Sequence, residues 1–157
     1  MSDQPTSKDM KWLTWCASGA PIFSTCSKGK YFAIITDITG RVAGTGYNGG
    51  PAGTQHCIDG GCPRAVNGVP SGTPYDYGPG FCIAIHAEMN ALLYSEVGRR
   101  RGGTLYVNGT PCVGCAKAIA NSGISRVVFS HDERLGMVES EEILSGAGIT
   151  VIPVRVN

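Results

Sequence analysis

Two short segments of this 157-residue chain carry side chains that could hold a metal beside a proton carrier. The first is His86-Ala87-Glu88. The second is Pro111-Cys112-Val113-Gly114-Cys115. One imidazole and two thiols are the donor set a catalytic zinc takes when its fourth position stays open for water. Cys112 and Cys115 are three apart, so on a helix they share one face. His86 and Glu88 are two apart and point in different directions. That suits one residue holding a metal while the other reaches its water and the substrate. Both segments open predicted helices, where the positive end of the helix dipole favours thiolate over thiol. A Cys-x-x-Cys alone reads equally well as two small core side chains, and His86 as a satisfied buried histidine. A redox pair has no use for His86 or Glu88. The coincidence of both segments favours the metal.

The elements that must position these residues are legible from propensity and pattern. Thr6 to Ala20 reads as a helix in which Trp12 and Trp15 are expected core anchors. Tyr31 to Thr36 and Arg41 to Tyr47 read as a hairpin around the turn residues Asp37-Ile38-Thr39-Gly40. A helix is expected from about Ile85 to Val97, followed by Arg99, Arg100 and Arg101 where cations suit a helix end. Strands at Thr104 to Val107, Arg126 to Phe129 and Ile149 to Val154 alternate with helices at Pro111 to Asn121 and Glu139 to Ser145. Such alternation predicts parallel strands joined by right-handed crossovers. The expected class is therefore α/β, a single domain over residues 1–157.

Composition excludes several functions. There are 13 Lys and Arg against 12 Asp and Glu, which argues against a generic nucleic-acid binder. No apolar run reaches the roughly 20 residues of a membrane span. The segment Met1 to Asp9 is polar and lacks the apolar stretch of a secretory signal, so a cytoplasmic location is expected. There are seven cysteines, an odd number, so they cannot all pair internally. In a reducing compartment, clustered cysteines more often bind metal than form disulfides.

Residues 48–82 form a Gly/Pro-rich insert. Asn48 to Gly80 alone holds nine glycines and five prolines, with no periodicity. A stretch this long inside a compact domain is either disordered or pinned by something other than a core. His56, Cys57 and Cys62 lie inside it and Cys82 follows.

The His-x-Glu and Pro-Cys-x-x-Cys combination resembles the signature of the zinc deaminases. The stretches Ser24-Thr25-Cys26, Thr45 to Gly49, His56-Cys57, His86 to Ala91 and Thr104 to Lys117 narrow it. They are similar to the deoxycytidylate (dCMP) deaminase family, across about Cys16 to Ile152. The resemblance implies a three-layer α/β/α fold around a five-stranded mixed sheet. Its first two strands would be antiparallel, its last three parallel, with helices on both faces. It implies hydrolytic deamination of a cytosine nucleotide, most simply dCMP to dUMP and ammonia, in pyrimidine metabolism. His86, Cys112 and Cys115 would bind Zn²⁺, and Glu88 would serve as general acid and base. Asn48 would hydrogen-bond the deoxyribose, although it also reads as a turn-former. The Ala87 N–H would meet the pyrimidine carbonyl. Tyr47 could line the base pocket, as could Phe129, for which core packing is the simpler role.

The same resemblance implies a homo-oligomer, with dCTP and dTTP as possible effectors near Gly46 to Gly53. It also implies a possible structural zinc on Cys26 and Cys57, completed by Cys62 and Cys82, with His56 as a substitute. The alternative is free cysteines in a mobile loop. One departure stands out: a tyrosine-containing segment common in the family is replaced by Ser130-His131-Asp132-Glu133-Arg134. His131 is then either a surface residue or a rim contact to phosphate. Two other functions remain open at this stage. One is a deaminase of a tRNA base or another amino-heterocycle. The other is a non-catalytic zinc-stabilised binding module, against which the retained Glu88 argues.

Overall fold

A computed structural model describes residues 3–133 and 136–155. Helix α1 runs Ser7–Phe23 and starts on a capping box. The Thr6 hydroxyl accepts from the Asp9 N–H at 3.2 Å, and the Asp9 carboxylate accepts from the Thr6 N–H at 2.8 Å. Two amides that would otherwise lack acceptors are thereby satisfied. Leu13, Cys16 and Ala20 are its buried stripe. Trp12 is half-buried, its ring 6.0 Å from that of Tyr106, but Trp15 is exposed. The expectation that Trp15 anchors the core is therefore wrong. Trp15 is one residue short of Cys16 on the helix and so turns about 100° away from the buried stripe.

Strands β1 (Phe32–Thr36) and β2 (Val42–Tyr47) pair antiparallel. Their turn is built by Asp37, whose Oδ1 accepts from the backbone N–H groups of Thr39 and Arg41. Strands β3 (Thr104–Val107), β4 (Arg126–Ser130) and β5 (Thr150–Val154) follow, and β3–β4 and β4–β5 are parallel. The sheet order is β2-β1-β3-β4-β5, with β1 and β3 antiparallel. Alternate residues face opposite sides. Ala33, Ile35, Leu105, Val107, Val127 and Phe129 join one core, which includes residues of helices α3 (Ala87–Leu93), α5 (Val113–Ala120) and α6 (Met137–Gly146). Ile34, Tyr106, Val128 and Ile152 join the other, against α1. This is the three-layer mixed sheet expected above.

One expectation is corrected in detail, and one of the two readings of the insert is chosen. The helix predicted from Ile85 to Val97 is two pieces, α3 and the short α4 (Val97–Arg100). The Arg100 guanidinium donates to the carbonyls of Leu92 and Ser95, closing α3 where a single helix would continue. The insert is ordered rather than structureless. It contains a 3₁₀ turn at Cys57–Asp59 and α2 (Pro63–Val66). Arg64 is buried, and its guanidinium donates to the carbonyls of Pro74, Gly80 and Thr73 while covering the Tyr75 ring. One side chain thus joins the middle of the insert to its end. Among the described residues no helix is long and apolar enough to cross a membrane.

Candidate active site

Parallel strands deliver their C-terminal ends to one edge of a sheet, and α/β proteins place sites there. The segment after β3 carries Pro111 and then Cys112, the N-cap of α5. Its carbonyl accepts from the Ala116 N–H at 2.8 Å, and its sulfur accepts from the Cys115 N–H at 3.4 Å. His86 is the N-cap of α3, extended at φ −69° and ψ 153°. The residue before it, Ile85, bridges Gly49 through two backbone hydrogen bonds of 2.7 and 3.2 Å. That bridge ties the entry of α3 to the exit of β2. Helix α3 then lies close on β2, because Ala87 and Ala91 are small and β2 has glycines at 44 and 46 beneath it. The Asn90 side chain donates to the Tyr47 carbonyl at 2.8 Å and sets the register.

These constraints bring the three donors together. His86 Nδ1 lies 3.4 Å from Cys112 Sγ and 3.4 Å from Cys115 Sγ. All three ligand atoms fall within 4.8 Å of one another. A tetrahedral zinc with ordinary bond lengths places nitrogen and sulfur ligands about 3.5 Å apart, so the donor set fits that ion. The hydrogen bond from Cys115 holds the Cys112 thiol far below its ordinary range, at about 3. Cys115 is pushed up by its bond to Cys112, then by burial, then by the Glu88 charge. Glu88 is itself buried, and its carboxylate lies in contact with Cys115. The Glu88 carboxylate therefore sits against Cys115, one of the three candidate metal donors. The Ala87 amide is the first of α3, one of the four in any helix without a partner inside it, and so is available to a ligand.

Asn48 is at the same end but is buried and heavily used. Its Oδ1 accepts from the Ser24 hydroxyl at 2.5 Å and the Tyr31 N–H at 2.9 Å, and its Nδ2 donates to the Gly29 carbonyl at 2.8 Å. Only one amide proton remains for a substrate. Sequence reading treated Ser24 as part of a motif without seeing that it orients Asn48. Phe129 is fully buried in the core, while Tyr47 is exposed and stacks on Phe23 at 5.9 Å. His131 is half-buried, and its N–H donates to the Val154 carbonyl. Arg134 lies outside the described residues.

Of the five other cysteines, Cys16 is buried on α1, and Cys26, Cys57, Cys62 and Cys82 lie around the insert. Burial raises the Cys57 thiol to about 11, with additions from Cys62, with which it shares a hydrogen bond, and from Cys26 and Cys82. Cys62 is lowered, against its burial, by the amides of Ala65 and Arg64 and the Ser27 side chain. These sulfurs are more spread than the first set. The group compact enough to hold an ion among the described residues is His86, Cys112 and Cys115, and His56 is exposed. A separate hollow of about 420 Å³ lies at the opposite strand ends, lined in part by Asp9, Asp37, Tyr106 and Arg126.

Residues 6–131 match the family model described as the cytidine and deoxycytidylate deaminase zinc-binding region. The deoxycytidylate deaminase of Mycobacterium phage D29 is 46% identical over 117 residues, 74% of this chain and 89% of that protein. That of Saccharomyces cerevisiae is 41% identical over 145 residues, 90% of this chain and 42% of the yeast protein, so the chain spans under half of that relative. Among solved structures, the dCMP deaminase of cyanophage S-TIM5 in complex with dCMP and dUMP shares the fold. Its TM-score is 0.71 at 21% identity, covering 96% of this chain and 98% of that one. On the extent of the family match and the identity to the phage protein, the chain belongs to the cytidine and deoxycytidylate deaminase family.

Proposed function

We propose that this chain hydrolyses the exocyclic amine of a cytosine nucleotide, converting dCMP and water to dUMP and ammonia. The observation that carries the reading is the convergence of His86 Nδ1 with the two sulfurs while Glu88 is buried against them. The relatives named above support dCMP as the substrate. Zinc held by His86, Cys112 and Cys115 supplies Lewis acidity, lowering the pKa of water from 15.7 to about 7. Glu88 takes a proton from the attacking water and gives it to N3 of the pyrimidine. It would then take the second proton, from the hydroxyl now on C4, and pass it to the amine as the C4–N bond breaks, leaving a carbonyl at C4 and free ammonia. Two thiolates neutralise the dication, which leaves Glu88 as the charged group that moves protons. The Ala87 N–H holds the pyrimidine carbonyl, and the remaining Asn48 Nδ2 proton meets the sugar.

Ammonia release is measured on dCMP, CMP, deoxycytidine, guanine and a tRNA anticodon stem. Turnover of dCMP alone is expected. Activity on none of them, with zinc bound, would replace the enzyme with a zinc-stabilised binding module. Glu88→Ala should keep fold and zinc but lose at least about 10²–10⁴-fold in kcat.

The same proposal includes a second, structural zinc on Cys26, Cys57, Cys62 and Cys82. The mutual influence of these thiols and the ordered insert around them support it. Two zinc ions per chain are expected by atomic absorption, and one would end this part. Homo-oligomerisation is supported by exposed apolar side chains on α1, among them Trp15, Ile22 and Phe23. Binding of dCTP or dTTP near Gly46 to Gly53 and a cytoplasmic location complete the proposal.

A further inference from the structure

The turn that presents Cys112 is held from behind by an element that supplies no ligand. Ser140 of α6 is completely buried, and its hydroxyl donates to the Pro111 carbonyl at 2.6 Å. That carbonyl belongs to the peptide joined to the Cys112 nitrogen, so the bond fixes the plane from which Cys112 departs. One residue earlier, the Thr110 hydroxyl exchanges two hydrogen bonds with the backbone of Asp132. It accepts from the Asp132 N–H at 3.1 Å and donates to the Asp132 carbonyl at 3.3 Å. Thr110 and Pro111 are both buried. Gly136, the N-cap of α6, packs where an added Cβ would touch Val113 at 3.4 Å. Hydrogen bonds from Asp132 and Ser140 thus hold Thr110 and Pro111, and Gly136 packs close to Val113.

We propose that Ser140 is a positioning residue for the metal-binding turn. By orienting the Pro111–Cys112 peptide it sets the direction of the Cys112 sulfur and so the rate at which the site releases its ion. An unpartnered backbone carbonyl in this buried place would rotate towards any donor it could find, because a buried acceptor without a partner is costly. Rotation there turns Cys112 with it. Groups that orient metal ligands typically change metal affinity by about 10–100-fold when removed. The proposal rests on assigning zinc to His86, Cys112 and Cys115.

The test compares zinc-loaded wild type, Ser140→Ala, Ser140→Thr and Leu144→Ala, all well below their melting temperatures. Leu144 is a fully buried residue of the same helix, and its truncation destabilises α6 without removing the bond to Pro111. Zinc release to a colorimetric chelator should be about tenfold faster for Ser140→Ala. It should be unchanged for Leu144→Ala and restored by Thr, which keeps the hydroxyl. Cobalt-substituted Ser140→Ala should show displaced d–d and sulfur charge-transfer bands. If Ser140→Ala does not fold, Thr110→Val carries the same comparison through the neighbouring residue. Equal release rates for wild type and the hydroxyl-deleted variant would overturn the proposal, as would equally fast release from Leu144→Ala. A His86→Ala variant that still carries the full zinc count would instead overturn the ligand assignment, and this proposal with it.

Discussion

Gly46 of β2 lies directly beneath Ala87 of α3, and a Cβ at Gly46 would run into the Ala87 carbonyl oxygen and the Ala91 amide nitrogen. The residue next to the candidate ligand His86 therefore has its height above the sheet set by the lack of a side chain on a different element. Gly46→Ala should push α3 outwards and carry His86 and Glu88 with it. Overpacking of this kind costs about 1–3 kcal/mol. Thermal denaturation should show that loss, and metal analysis should show reduced zinc occupancy. A variant with wild-type melting and full zinc would contradict the account.

Asn48→Ala should act on both stability and substrate affinity. It strips partners from the buried Ser24 hydroxyl, the Tyr31 N–H and the Gly29 carbonyl. A lost buried partner costs about 1–3 kcal/mol. The KM for dCMP should rise more than kcat falls, since the proposed sugar contact would position the substrate and take no part in proton transfer. Steady-state kinetics beside a denaturant titration separates the two effects.

Acid should weaken the protein through a residue far from the site. Burial raises the Asp9 carboxyl, but the Arg126 guanidinium, with Thr6 and Tyr106, outweighs it and holds the group well below the usual carboxylate range. Both Asp9 oxygens bond Arg126, at 2.7 and 2.6 Å. The depressed pKa contributes stability that is present above the unfolded value of about 3.9. That stability is lost as pH falls below about 4 and towards the folded value. Asp9→Asn should remove much of this acid dependence and cost about 3–5 kcal/mol near neutral pH, because Arg126 is left buried without its anion. Denaturant midpoints measured from pH 7 to pH 3 for the two proteins would show the curves converging.

Removing the catalytic metal should lower the melting temperature and expose its ligands. An ion bound only to the folded state at about 1,000 times its Kd contributes about 4 kcal/mol. Iodoacetamide should label Cys112 and Cys115 after chelation and spare them when zinc is present. Mass spectrometry of the peptides reports the difference, and equal labelling in both states would show that these sulfurs do not hold the ion.

Much of this was visible before the fold. Thr6 and Asp9 make a capping box that their spacing announces, and the strand and helix alternation after residue 104 follows from local pattern. Trp15 and the long helix through Val97 were misread for the same reason. Large aromatics and helix formers carry no label saying which face meets the sheet, or that Arg100 will close α3 by taking its last carbonyls. The insert stays open between disorder and a pinned loop on sequence alone, because a buried guanidinium gripping three carbonyls leaves no periodic trace.

Residue type and spacing alone supply the three candidate donors, one imidazole and two thiols, and the carboxylate beside them, and put all four at the starts of two helices. These are local properties, written in residue type and in spacings of two and three. Only the tertiary structure decided that donors 26 and 29 residues apart share one point, that Asn48 is held by Ser24 and Tyr31, and that Ser140 stands behind Cys112. Such meetings depend on strand register and on how closely a helix approaches a sheet. Those are set by the sum of many distant contacts and by no single stretch of chain.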